Sequence, residues 1–93
     1  MADRRVRVIV HGDVQGVFYR GWTVEQARAL RLRGWVRNRH DGTVEALFSG
    51  PGEAVDEMVR RCQDGPPAAR VSEVEVEDSR EPVPEGFGQR GTA

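Results

Sequence analysis

Lysine is missing from this chain, and all fourteen of its basic residues are arginine. That absence excludes Schiff-base chemistry and any lysine nucleophile. A bias in genome base composition explains the skew more simply than function does, although arginine's planar fork pairs well with oxyanions. Cysteine is scarce too: Cys62 is the only one, so no internal disulfide can form. No His, Cys, Asp or Glu cluster has metal-ligand spacing, and neither a metal nor a cofactor is expected. No apolar run is long enough to span a bilayer and no signal segment is recognisable, so the expected location is the cytoplasm, away from membranes. Neither sign of charge dominates. The formal net charge is −1, which argues against nucleic acid or an anionic membrane as partner.

Apolar residues make up 38% of the 93 residues and charged ones 31%. A chain of this size buries roughly 60–65% of its unfolded surface, enough for one core. The expectation is therefore a single domain over residues 1–93, acting as a monomer, with about residues 80–93 as a frayed tail.

The chain is organised around the stretch from Val10 to Arg20. A strand-like run, Val6 to Val10, enters it, and a helix-like run beginning near Gly21, Trp22 and Thr23 leaves it. Gly12 and Gly16 lie between. Glycine reaches backbone angles that other residues avoid, so such a corner can aim several N–H groups at one point. The first N–H groups of a helix lack internal partners and carry the positive end of its dipole. An anion site with a guanidinium at its edge is the chemistry this arrangement offers. A tight turn with a surface arginine is the plainer alternative that the same residues allow.

The pattern Gly12-x-Val14-Gln15-Gly16-Val17-x-x-Arg20 resembles the first signature of the acylphosphatase family. Tyr19 stands where that family more often has Phe or Met. A second stretch, Gly34-Trp35-Val36-Arg37-Asn38, followed by Gly42-x-Val44 and then Gly50, resembles the family's second signature without departure. The resemblance implies a hydrolase that cleaves the carboxyl–phosphate bond of small acyl phosphates and needs no metal. It implies that the backbone N–H groups of Gln15, Gly16, Val17, Phe18, Tyr19 and Arg20 cradle the phosphate. By the same resemblance, Arg20 supplies the guanidinium and Asn38 holds the attacking water. The resemblance also implies that the substrate's own phosphate oxygen takes the water's proton, and the lack of any carboxylate inside either signature that matches a family catalytic residue agrees with this.

Taken in order, residues 1–5 read as a charged lead-in. Val6, Val8 and Val10 give a strand with one apolar face, which His11 ends, and Ile9 on the other face argues for a central strand. His11 reads as a spacer rather than a base. Asp13 would repel the substrate. Residues 22–32 read as a helix with Thr23, Ala27 and Leu30 on one stripe, Arg31 and Arg33 in its last turn and Gly34 as its stop. Trp22 reads as a packing residue. Residues 35–39 and 43–48 read as strands joined at His40-Asp41-Gly42, a strong hairpin signal. Asn is disfavoured within strands, so either something beyond propensity holds Asn38 or it begins the loop.

Past Ser49-Gly50-Pro51-Gly52, an apolar stripe of Ala54, Val55, Met58, Val59 and Cys62 marks a second helix. The pairs Asp56–Arg60 and Glu57–Arg61 are spaced to support it. Cys62 reads as a small buried hydrophobe, and Gly65-Pro66-Pro67 stops the helix. Residues 71–77, with Glu73, Glu75 and Glu77 alternating with apolar residues, read as a protected edge strand. A short or frayed strand around Phe87-Gly88-Gln89-Arg90 would close the chain, by resemblance. The fold expected is α+β, a two-layer ferredoxin-like βαββαβ sandwich with an antiparallel sheet and two helices on one face.

Two rival readings share that fold. RNA-recognition modules need aromatics on the central strands and a basic face, whereas Ile9, Val10, Leu47 and Phe48 occupy these strands. A non-catalytic phosphate- or small-ligand-binding module, including a carbamoyl-transfer accessory domain of a larger protein, is the other.

Overall fold

Alternation places Val6, Val8 and Val10 on one side of the first strand, where they meet the apolar stripes of both helices in a single core. The computed structural model describes residues 2–93. Its elements are β1 (Asp3–Asp13), α1 (Tyr19–Ala29), β2 (Arg33–Asn38), β3 (Val44–Pro51), α2 (Gly52–Cys62), β4 (Arg70–Asp78) and β5 (Phe87–Gln89). The sheet order is β4-β1-β3-β2-β5. All neighbours run antiparallel except β2 and β5, which are parallel. The sheet is therefore mixed rather than purely antiparallel, because the C-terminal strand lies alongside β2 in the same direction.

β1 is longer than its apolar pattern indicates. The supposed lead-in is already strand, since Asp3, Arg4 and Arg5 pair with Pro51, Gly50 and Ser49. Nor does His11 end it. Gly12 and Asp13 pair with Val71 and Arg70 past a register shift between His11 and Gly12. Pairing on both flanks overrides the polar composition. As Ile9 suggested, β1 is interior, and β4 is the acidic edge.

α1 is displaced toward the N-terminus relative to residues 22–32. Its end is a left-handed turn at Arg31, with φ 58°. The Arg31 N–H donates to Arg28 O and the Leu32 N–H to Ala27 O, at 3.0 and 2.9 Å. These two bonds satisfy the last carbonyls in the manner usual for a glycine stop. Arg31 and Arg33 thus lie beyond the helix, and Arg28 is the basic residue in its last turn. Gly34 has a different task. A Cβ there would come within 1.7 Å of Leu47 O, so it allows β2 and β3 to approach.

In α2, Val55, Met58 and Cys62 are buried on the expected stripe, each apolar side chain contributing about 1.5–3 kcal/mol. One expected ion pair is replaced. Asp56 pairs with Arg4 from β1, while Glu57 takes both Arg60 and Arg61. A strand partner takes Asp56 and a nearer helical one takes Arg60, displacing a pair that is worth only tenths of a kcal/mol.

The sheet face away from the helices is also covered. Glu45 is buried between Arg7 and Arg37, with contacts of 2.6 and 2.7 Å. Trp35 lies between the guanidinium groups of Arg37 and Arg90, 4.6 and 4.8 Å from its ring centre. His11, the expected spacer, pairs with Glu75 there.

After β4, residues 79–86 carry no helix or strand. Phe87 then stacks on Phe48, 5.5 Å between centres. Beyond β5, Arg90 N–H donates to Val36 O at 2.8 Å and Ala93 N–H to Asn38 O at 3.0 Å. The C-terminal residues therefore follow β2 to its end.

Candidate active site

β1 stays paired with β4 through Asp13, past the register shift at Gly12, and Val14, 1% exposed, anchors the loop that follows in the core. Gly16 takes φ 74°, and a Cβ there would meet nothing within 4 Å. Its need for glycine is one of backbone angle, and it faces open space. Phe18 is also left-handed, with φ 67°. A bulky residue in that region is uncommon and held at some cost. The turn at Phe18 starts α1 without a side-chain cap. The first helical bond runs from Trp22 N–H to Phe18 O at 2.9 Å, which leaves the N–H groups of Tyr19, Arg20 and Gly21 without an acceptor inside the helix.

These groups border a cavity of about 150 Å³ lined by Gly16, Phe18, Tyr19, Arg20 and Asn38, with Val14, Gly21 and Gln89 completing the wall. Arg20 is half-buried and forms no ion pair among the described residues. Asn38 is the last residue of β2, opposite Val44. Its main-chain carbonyl accepts from Ala93, while its side-chain Oδ1 is buried with no hydrogen-bond partner. A buried acceptor left open beside a free guanidinium and unpaired N–H groups can receive a proton donor, such as water, next to a bound anion.

A family model described as Acylphosphatase matches residues 6–88. The chain belongs to the acylphosphatase family. An acylphosphatase of Rhizorhabdus wittichii is 55% identical to it over 86 residues, 92% of this chain and 87% of that protein. Among solved structures, an acylphosphatase from Coxiella burnetii superposes with a TM-score of 0.90 at 34% identity, covering 95% of this chain and 93% of that one. The acylphosphatase from Bacillus subtilis gives a TM-score of 0.87 at 37% identity, covering 92% and 97%.

The residues of the two signatures meet at the smaller cavity. A larger groove of about 620 Å³ lies near Arg31, Arg33 and Glu85, but neither Arg20 nor Asn38 reaches it. Of the residues that resemblance to acylphosphatases singled out, Gly16, Phe18, Tyr19, Arg20 and Asn38 meet in one cavity. Gln15 and Val17 do not line it with the others. The Gln15 amide instead donates to Arg39 O and Thr43 O, both at 2.8 Å, tying the loop to the hairpin that follows Asn38. Val17 packs against the core.

Tyr19 lies in the cavity wall and also donates from its hydroxyl to Cys62 O at 2.6 Å. Burial, with the Cys62 group beside it, drives that hydroxyl far above the ordinary tyrosine range, so it stays protonated. Burial likewise pushes the Cys62 thiol up to about 12, and it is no nucleophile. Asp41 shapes the hairpin by accepting from Thr43 Oγ1 and N–H, at 2.6 and 2.9 Å. Val14, Gly21 and Gln89 are the wall residues that sequence reasoning did not assign to the site, and Gln89 is the one remote from both signatures. Its only signal was a three-residue strand of weak pattern, and its place depends on parallel pairing with Val36.

Proposed function

We propose that Arg20, Asn38 and the N–H groups of Gly16, Phe18, Tyr19 and Arg20 together hydrolyse acyl phosphates to a carboxylate and inorganic phosphate. Acyl-phosphate hydrolysis is the activity of the family to which the chain belongs. The observation that carries the residue roles is the buried, partnerless Oδ1 of Asn38 in the cavity that Arg20 also lines.

In this reading the Arg20 fork and the unpaired N–H groups hold the three phosphoryl oxygens and spread their charge. A water donates one hydrogen bond to Asn38 Oδ1 and turns its lone pair toward phosphorus. Its oxygen attacks in line as the phosphorus–acyl oxygen bond breaks, and the electron pair leaves on the carboxylate. The water's proton passes to a phosphate oxygen of the substrate. Because a carboxylate leaves readily, positioning and charge stabilisation suffice without a dedicated acid.

We also read the chain as one domain that acts as a cytoplasmic monomer. Among the described residues no helix is long and apolar enough to cross a membrane, and a small soluble substrate fits that location. Steady-state hydrolysis of benzoyl phosphate, with inorganic phosphate as inhibitor and with EDTA present, tests the reading. Competitive inhibition and undiminished rates are expected. Non-competitive phosphate, or activity restored only by magnesium, overturns it.

A further inference from the structure

Phe18 is 63% exposed, and it is one of two large hydrophobic residues exposed on the described surface. The other, Val76, lies on the edge strand β4. Phe18 instead belongs to the wall of the cavity that holds Arg20 and Asn38. Its backbone sits in the left-handed region, where an aromatic residue gains nothing locally. Its ring lies directly over Gly21, where an added Cβ would come within 2.3 Å of the ring edge. The missing side chain at Gly21 thus gives the ring its seat, and the rest of the ring is open to solvent at the cavity mouth.

The cavity, about 150 Å³, has room for a phosphoryl group and roughly one or two waters of about 30 Å³ each. The acyl group of a substrate therefore has to lie outside it, on the rim. We propose that the Phe18 ring is the platform for that acyl group, and that the site favours acyl phosphates bearing aryl or extended apolar groups over acetyl phosphate. This rests on the acyl-phosphate reading above. Covering exposed ring surface with an apolar group, through burial and offset stacking, is expected to favour the larger substrate about tenfold.

The test compares kcat/KM for benzoyl phosphate and acetyl phosphate in the wild type, Phe18→Ala and Phe18→Leu. The ratio of the two constants is independent of how much enzyme is correctly folded. It should fall about tenfold in Phe18→Ala and less in Phe18→Leu. In the wild type alone, benzylphosphonate should inhibit about tenfold more tightly than methylphosphonate, both competitively. A ratio unchanged in the alanine variant, or equal inhibition by the two phosphonates, overturns the platform. If the wild type turns over neither substrate and inorganic phosphate does not bind, the acyl-phosphate reading itself fails.

Discussion

Replacing Asn38 with alanine separates a water-holding residue from one that merely begins a hairpin. The Asn38 side chain forms no hydrogen bond with any described residue, and its Oδ1 is buried. Truncation therefore breaks no bond within the protein and removes an acceptor whose desolvation costs about 1–3 kcal/mol. Against this stands the lost packing of a half-buried side chain. The main-chain bond from Ala93 to Asn38 O is unaffected by the change. The two side-chain effects largely offset, so stability should change by no more than about 1 kcal/mol in either direction. For a domain of this size that is a Tm shift of at most about 4–8 °C.

Catalysis should respond very differently. Loss of the group that orients the nucleophile should lower kcat by about 10²–10³, the scale seen when one oriented polar contact of a transition state is removed. Phosphate should still bind within about threefold, because Arg20 and the N–H groups remain. Stopped-flow or steady-state assays with benzoyl phosphate, phosphate inhibition and thermal melting would measure all three. Asn38→Asp keeps the shape but sets a negative charge beside a dianion, so it should weaken phosphate binding as well. A normal kcat with a lowered Tm would assign Asn38 to the hairpin and refute the water-holding role.

Arg20→Lys should be nearly as damaging as Arg20→Ala, each losing about 10²–10³ in kcat/KM, because lysine lacks the planar fork; a lysine variant within about threefold of wild type would refute bidentate binding. Tyr19→Phe removes a buried donor and leaves Cys62 O unpaired at the end of α2, so urea denaturation should show a loss of about 1–3 kcal/mol. An unchanged midpoint would show that this bond contributes nothing. Burial pushes the Glu45 carboxyl up, but the hydrogen bonds from Arg7 and Arg37 outweigh it and hold its pKa below 4.5. With the folded-state pKa lowered, its contribution is fully present above about pH 4.5 and is lost as pH falls through the folded-state value. Urea midpoints should decline below that pH, and Glu45→Gln should flatten the decline; equal slopes for the two proteins would remove Glu45 from the acid transition.

The backbone chemistry of the site was legible in the sequence because it is local. Gly16 marks a positive φ, the run from Val14 to Arg20 joins a strand to a helix start, and Asp41-Gly42 marks the hairpin turn that begins just past Asn38. The order of the first six elements followed from apolar periodicity for the same reason. Element ends were less legible. β1 extends at both ends because partners on β3 and β4 pair with residues of polar composition, and α1, ending at Ala29, is followed by a left-handed turn at Arg31 that propensity assigns to glycine.

The meeting of Arg20 with Asn38 was decided by the tertiary structure. They are eighteen residues apart, Arg20 in the first turn of α1 and Asn38 at the end of β2, and they share a cavity because β3, lying between β1 and β2, brings the end of β2 to the loop that follows β1. The Gln15 staple to Arg39 O and Thr43 O, the arrival of Gln89 through β5, and the unpaired Oδ1 of Asn38 all depend on that packing. No periodicity records them, since each is a contact between segments whose separation along the chain carries no information about their distance in space.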